Sequence, residues 1–152
     1  MRYLEDFTPG QIIELGPRAV SESEIIAFAR QFDPQDFHLD AAAAKKSDFG
    51  GLVASGWHTV AMCMRLIADG YLMDAASLGS PGIDQLRWVK PVRPGDVLRL
   101  SVRVGAVTPS QSKPDRGVIR AEFTLRNQRD ETVLTMKGVQ MFHRRPNDPM
   151  SP

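Results

Sequence analysis

The chain has 152 residues, of which 42% are hydrophobic and 24% are charged, and its 19 Lys and Arg against 18 Asp and Glu give a formal net charge of +1. This length suits one domain whose core needs no disulfide, and the balanced charge gives no general attraction to nucleic acid or to a membrane surface. The one cysteine, Cys63, excludes an intrachain disulfide. Without a secretory-signal pattern, an apolar stretch of about 20 residues or a Cys/His cluster with zinc spacing, we expect a cytoplasmic protein that holds no metal.

The chain begins with a predicted strand and a predicted helix. Residues 11–20 alternate weakly between apolar and polar side chains, as in a half-buried strand. Ser21 and Glu24 have the spacing of a capping box, and the apolar residues after them recur at helical intervals. Pro34 disfavours helical angles at the residue before it, so we expect this helix to end there.

A short helix and a long helix follow. Asp40 can cap a helix over residues 41–46, and a longer helix should begin near Ser55 and Gly56. The long helix has the strongest periodicity of the chain, which predicts a buried apolar stripe along four turns. The residues of this stripe are Trp57, Val60, Ala61, Met64, Ile67, Ala68, Tyr71 and Leu72.

The second half of the chain predicts strands, at residues 77–89, 97–107, 118–126 and 132–143. Residues 91–96 are rich in turn formers, residues 108–117 predict a loop, and the residues from Arg144 onwards predict a frayed tail. This order of elements predicts an α+β fold, in which one antiparallel sheet wraps one long helix and keeps a face or an edge free for a partner.

Acids, an amide and a histidine are concentrated in the irregular stretch between the first two helices. His38 can exchange protons near neutral pH, and a nearby carboxylate can fix its tautomer and raise its pKa. From the residues alone, a structural histidine at position 38 and turn-forming aspartates at Asp33 and Asp36 are the simpler interpretation.

A resemblance to the MaoC-like proteins, which include the (R)-specific enoyl-CoA hydratases, is carried by residues 33–38 (DPQDFH). In that family an Asp precedes a His by five positions. Further matches follow in the family's order at residues 3–11 (YLEDFTPGQ), 54–57 (ASGW) and 86–96 (LRWVKPVRPGD). The resemblance implies one hotdog domain over residues 1–145, a curved antiparallel sheet around a long central helix, with residues 146–152 as a flexible tail. It also implies a homodimer or a higher homo-oligomer.

The resemblance implies a lyase, a hydratase or dehydratase that adds water reversibly to a trans-2-enoyl-CoA and forms an (R)-3-hydroxyacyl-CoA. Asp33 and His38 would be the catalytic pair, and coenzyme A would be part of the substrate, with no separate cofactor. The chain departs from many relatives at Gln35 and Asp36, where they carry Asn-Pro, and at Ser55, where they carry His. The nature of the acyl chain therefore stays open.

Substrate contacts are expected around this pair. The backbone N–H of Gly56, at the positive end of the long helix, could stabilise an oxyanion, with Gln35 and Ser55 as further substrate-binding residues. An apolar channel for the acyl chain could be lined by Trp57 and by methionines, although core packing explains most of these residues equally well. The methionines concerned are Met62, Met64 and Met73.

The phosphates of coenzyme A would need basic side chains, because the chain has no phosphate-binding loop. Arg87, Lys90 and Arg93 are weak candidates, since a solvated strand face would also explain them. His58 and Cys63 are expected to be structural.

Two other functions stay open, an acyl-CoA thioesterase and a non-catalytic acyl-binding subunit, because one fold hosts several activities. Thioesterases of this fold usually carry a carboxylate on or beside the long helix. That helix offers only Asp69 near its far end, which favours the hydratase.

Overall fold

Over residues 1–146, which the computed structural model describes, the chain forms four α-helices and five β-strands. The helices are α1 (Glu22–Phe32), α2 (Asp36–Leu39), α3 (Ala41–Lys45) and α4 (Gly56–Ile67). The strands are β1 (Ile12–Ala19), β2 (Ser77–Trp88), β3 (Val97–Pro109), β4 (Arg116–Arg126) and β5 (Thr132–His143). A short 3-10 helix, Leu4–Asp6, precedes β1, and a π-helical segment, Ala68–Leu72, continues α4.

The strands form one antiparallel sheet in the order β1-β3-β4-β5-β2, so β1 and β2 are its two edges. Side chains alternate between the two faces of the central strands. In β3, Leu98 and Leu100 are buried, whereas Arg99 is exposed on the opposite face. One face of the sheet therefore covers the core and the other faces solvent. Irregularities in the register of β1, β2 and β3 are of the kind that bends and twists a sheet.

Helix α4 packs on the buried face of the sheet. Met62, Cys63, Leu66 and Ile67 belong to the same buried cluster as the apolar side chains of β3, β4 and β5. One long helix against one antiparallel sheet is the hotdog arrangement, so the predicted α+β fold is confirmed. In the described part of the chain, no helix has the length and apolar character needed to span a bilayer.

The predicted buried stripe of α4 was wrong for its first turns. Trp57 and Met64 are 60% and 46% exposed, and Ala61 is exposed as well. The buried residues are His58, Thr59, Met62, Cys63, Leu66, Ile67 and, in the segment that follows, Tyr71. Apolar side chains occur on more than one side of α4, so periodicity alone could not identify the side that faces the sheet.

The other predicted elements differ less from the structure. Residues 36–39 form one helical turn where an irregular stretch was expected, and β3 and β4 extend into residues 108–117, which were predicted as a loop. The chain was also predicted to fray from Arg144 onwards, and this was wrong for Arg144 and Arg145. Arg144 Nε lies 3.0 Å from Glu5 Oε1, and the guanidinium of Arg145 contacts the carboxylate of Asp6. The rest of the predicted tail, residues 147–152, lies outside the described residues.

A buried hydrogen bond joins the helical layer to the sheet. The hydroxyl of Tyr71 donates to Oε1 of Gln140 in β5 over 2.7 Å, and both side chains are buried. Burial raises the pKa of Tyr71 to about 12, so the hydroxyl keeps its proton. This bond satisfies two polar groups that would otherwise be buried without partners.

We expect Tyr71→Phe to lower the free energy of unfolding by about 1–3 kcal/mol, because it leaves the Gln140 carbonyl without its donor. Urea denaturation of the variant and of the wild type would measure this change. Tyr3→Phe is the control, because Tyr3 is the other tyrosine and its ring lies near Arg145 at the surface. Equal midpoints for Tyr71→Phe and Tyr3→Phe would contradict the assignment.

Candidate functional site

Asp33 is the residue that directly follows helix α1. Ser21 caps its first turn by accepting a hydrogen bond from the Glu24 N–H, as the capping-box spacing predicted. The helix stops at Phe32, and Asp33 takes the non-helical angles φ −152° and ψ 70°, in keeping with the bias of a following proline against helical angles. The single turn of α2 then brings His38 back beside Asp33.

Asp33 and His38 face one another. Nε2 of His38 lies 3.2 Å from Oδ2 of Asp33, and both side chains are largely buried. Nδ1 of His38 lies 2.7 Å from the carbonyl oxygen of Val53, which can only accept a hydrogen bond. Nδ1 therefore carries a proton, and Nε2 is the nitrogen that can exchange one with a molecule beside Asp33.

The carboxylate of Asp33 accepts hydrogen bonds on both oxygens. The hydroxyl of Ser55 donates to Oδ2 over 2.7 Å, and the side-chain amide of Gln35 donates to Oδ1 over 2.7 Å. Burial alone would raise the pKa of Asp33, but these hydrogen bonds and the imidazole of His38 outweigh it, so the pKa is lowered below its usual value. Asp33 is therefore a carboxylate at neutral pH.

A pocket of about 390 Å³ opens beside this pair. Its polar lining comes from Asp33, Gln35, His38, Gly56, Thr59 and Lys90. Most of the remaining lining is apolar and comes from Phe37, Phe49, Val53, Ala54, Trp57, Trp88, Val89, Pro91 and Val92. A small, mostly apolar pocket with a few convergent polar groups is typical of a site for a small molecule.

Gly56 stands at the junction of the pocket and α4. It is the first residue of the helix, whose first-turn N–H groups have no partner within the helix. Its carbonyl accepts a hydrogen bond from Nε1 of Trp88 over 2.8 Å, and a Cβ at position 56 would lie 2.7 Å from the Trp88 ring. The close approach of the indole thus requires glycine here.

Of the remaining predicted site residues, only Lys90 lines the pocket. Ser55 is fully buried and is not among the residues that line the pocket, so its hydroxyl faces Asp33. Lys90 lies at the pocket and is paired with Glu131, and Arg87 is exposed. Arg93 donates to the backbone carbonyl of Phe49 over 2.6 Å, so it holds the loop that carries part of the apolar wall.

The predicted acyl channel is only partly present. Trp57 lines the pocket, whereas Met62 belongs to the core, and Met64 and Met73 are exposed. Phe37, Phe49, Trp88 and Val89 also line the pocket, although the residue pattern did not identify them. The available signal was the position of Phe37 next to His38 and of Trp88 within the segment that resembles the family.

Two other groups, expected to be structural, are buried and do not line the pocket. Burial raises the pKa of the Cys63 thiol to about 12, which makes the thiol inert. His58 is buried and stacks on Phe28 of α1, with ring centroids 4.8 Å apart. Within residues 1–146, no group of three or more His, Cys, Asp or Glu side chains is arranged to hold a metal ion.

Comparison with known proteins places this chain in a family. A family model described as MaoC like domain matches residues 6–124. The crystal structure of the MaoC-like dehydratase from Rhodospirillum rubrum is 42% identical, with a TM-score of 0.88 over 96% of this chain and 99% of that chain. The uncharacterized protein YdeM of Bacillus subtilis (strain 168) is 33% identical over 132 residues, 86% of this chain and 92% of YdeM. R-hydratase PhaJ1 from Pseudomonas aeruginosa shares the fold at 23% identity, with a TM-score of 0.77 over 99% of this chain and 94% of that chain.

We expect His58 to make the protein less stable in acid. Burial, and then the positive charge of Arg18, lower its pKa to about 4, whereas an unfolded histidine has a pKa of about 6.5. Between these values the unfolded chain binds a proton that the folded chain does not, so the free energy of unfolding falls as the pH falls through this window. With allowance for solvent screening of the ring, the contribution should be about 1 kcal/mol between pH 7 and pH 5.

Urea denaturation at pH 7 and pH 5 would measure this contribution as the difference between wild type and His58→Gln. The variant should lose less stability on acidification than the wild type does. Identical losses in the two proteins would show that His58 does not titrate in this way.

Proposed function

The chain belongs to the MaoC-like domain family, and from that premise we propose that it is a hydratase that adds water reversibly to a trans-2-enoyl-CoA and forms an (R)-3-hydroxyacyl-CoA. The observation that carries the proposal is the approach of His38 Nε2 to Asp33 Oδ2, 3.2 Å apart, in the wall of an apolar pocket. The names of the Rhodospirillum rubrum dehydratase and of R-hydratase PhaJ1 support the same class of reaction.

In the proposed mechanism, one water molecule binds in the pocket beside the contact of Asp33 with His38, within hydrogen-bond distance of both side chains. Asp33 is a carboxylate and accepts a hydrogen bond from the water, while Nε2 of His38, which lies 3.2 Å from Oδ2 of Asp33, contacts the same water. The water oxygen attacks C3 of the enoyl group as the pair takes up a water proton. The pair then delivers a proton to C2 on the same face. Positioned acid–base groups of this kind contribute roughly 10²–10⁴-fold to a rate.

The negative charge that develops on the thioester oxygen needs hydrogen-bond donors. Gly56 lines the pocket and begins α4, so its backbone N–H is free of the helix ladder and lies at the positive end of the helix dipole. We assign the oxyanion to this N–H, since such preorganised donors stabilise a transition state strongly. The missing Cβ leaves room for the Trp88 ring, which lines the same pocket.

The acyl group would lie against the aromatic wall of the pocket formed by Phe37, Phe49, Trp57 and Trp88. The coenzyme A phosphates would lie outside, within reach of Lys90, with Arg93 holding the adjacent loop. Arg87 lies on the other face of β2, beside Glu122 and Lys137, so it is not assigned to the phosphates. Coenzyme A enters as part of the substrate, and addition of water is not a redox step, so the reaction needs no further cofactor.

The position of Asp69 argues against a thioesterase whose carboxylate lies on the long helix. Asp69 lies in the segment after α4, forms a 2.8 Å ion pair with the exposed Arg65 and is not among the residues that line the pocket. The carboxylate at the pocket is Asp33, next to a histidine, which suits activation of water for addition to a double bond.

We also infer a homodimer that forms through the free edge of β2. Nearly all residues of β2 are exposed, although the strand has the length of the buried strands. Ile83, Trp88 and Val89 are large apolar residues that remain exposed at this edge, and Trp88 also forms part of the pocket. A two-fold pairing of β2 with its copy would cover these side chains and an edge that otherwise invites aggregation.

We expect the purified protein to hydrate crotonyl-CoA or a longer trans-2-enoyl-CoA, with loss of the absorbance of the conjugated double bond. Asp33→Asn and His38→Gln should each lower kcat/KM by roughly 10²-fold or more, because each removes one partner of the bound water. Asp36→Asn and His143→Gln are the matched controls, since Asp36 is exposed in the same loop and His143 lies at the end of β5. Both controls should retain wild-type activity.

No hydration of short-, medium- or long-chain enoyl-CoA would contradict the proposal, as would wild-type activity in both Asp33→Asn and His38→Gln. Release of free coenzyme A thiol from saturated acyl-CoA, in place of hydration, would identify a thioesterase.

For the dimer, light scattering should give a molar mass of twice 16.9 kDa. Ile83→Lys should shift the protein towards the monomer, because the two-fold places like charges near one another across the interface. Ile12→Lys is the control, since Ile12 is 51% exposed and Ile83 is 50% exposed, but Ile12 lies on the opposite edge strand, β1. A wild-type monomer, or equal dissociation of the two variants, would overturn the β2 interface.

A further inference from the structure

Ser55 occupies the N-cap position of α4, but its hydroxyl does not cap that helix. Serine at this position usually accepts a hydrogen bond from an N–H of the first turn. Here no side-chain cap is formed, and the hydroxyl donates to Oδ2 of Asp33, 22 residues earlier in the chain, over 2.7 Å. The local role that serine ordinarily has at a helix start is therefore replaced by a contact with the site.

The surroundings of Ser55 restrict what this hydroxyl can do. Ser55 is 0% exposed and does not line the pocket, so its hydroxyl has no route to a substrate or to a reacting carbon. Its backbone carbonyl accepts the N–H of Thr59 over 3.0 Å, which holds the residue in the first turn of α4. A nucleophilic role and direct substrate binding are both inconsistent with this burial.

The geometry points to Ser55 as a positioning residue for Asp33 in the proposed hydration, a role that rests on that proposed function. Ser55 holds Oδ2 from the protein interior, and Gln35 holds Oδ1 from the solvent side. With each oxygen bound to its own donor, the carboxylate cannot rotate about its terminal torsion without losing a hydrogen bond. Oδ2 is thereby kept facing Nε2 of His38, where the water would bind.

The two donors differ in how firmly they can hold the carboxylate. Gln35 is exposed, so water can replace its amide when the side chain moves. Ser55 is enclosed, and its short side chain is fixed by the start of α4, so water has no access to replace its hydroxyl. Ser55 is therefore the donor that determines the orientation of Asp33. Its hydroxyl also favours the charged form of Asp33, since it donates to the carboxylate.

Ser55→Ala tests this role. We expect kcat to fall roughly 10- to 100-fold with KM changed little, because substrate contacts remain and only the alignment of Asp33 is lost. We also expect the acid limb of the kcat/KM profile to move to higher pH, since removal of the donor raises the pKa of Asp33. Ser55→Cys keeps the size of the side chain with a weaker donor and should give a smaller change in the same direction.

Ser101→Ala is the matched control. The Ser101 hydroxyl also donates to a carboxylate, that of Glu14, over 2.7 and 2.8 Å, but on the sheet between β1 and β3. This variant should keep both the rate and the pH profile of the wild type.

A carboxyl-carbon NMR titration of Asp33 without substrate separates this inference from the proposed function. A higher pKa of Asp33 in Ser55→Ala, but not in Ser101→Ala, supports the positioning role even if no enoyl thioester is turned over. An unchanged pKa of Asp33 in Ser55→Ala overturns it, whether or not the protein proves to be a hydratase.

Discussion

Two buried hydrogen bonds, from Ser55 to Asp33 and from His38 to the carbonyl of Val53, tie the loop after α1 to the segment that leads into α4. The backbone adds a third tie, since the Val53 N–H donates to the Phe37 carbonyl. Without these contacts, Asp33 and His38 would be polar side chains on an irregular stretch. With them, the loop is held in one position relative to the long helix. The Asp33–His38 pair, the N-terminus of the helix and the pocket therefore keep fixed positions relative to one another.

Helix α4 connects this site to the rest of the molecule. Its inner face packs on the sheet through residues such as Cys63 and Ile67, so the sheet determines where its N-terminus points. That N-terminus places Gly56 in the pocket, where Trp88, at the end of β2, donates a hydrogen bond to the Gly56 carbonyl. The proposed oxyanion donor and the apolar wall thus come from elements that the core holds together. A rigid support of this kind is what positioned acid–base chemistry requires.

The parts of this structure that depend on local preferences could be predicted. The Ser21 N-cap, the end of α1 before Pro34, the start of α4 and the order of the strands all match the sequence pattern within a few residues. The buried side of α4 could not be predicted, because apolar residues such as Trp57 and Met64 occur on a side that faces the pocket and the surface. The ion pairs that anchor Arg144 and Arg145 to the N-terminal turn could not be predicted either, because they join residues about 140 positions apart.

The sequence by itself determined the element order, the helix ends and the spacing of Asp33 and His38, because backbone preferences and capping act over a few neighbouring residues. The resemblance to the MaoC-like proteins added the prediction that these two residues act as a catalytic pair. Only the tertiary structure decided that Ser55 turns from its helix to Asp33, that Val53 sets the tautomer of His38, and that Trp88 completes the pocket. These contacts join residues 15 to 32 positions apart, and such pairs meet only when the packed core brings their elements together.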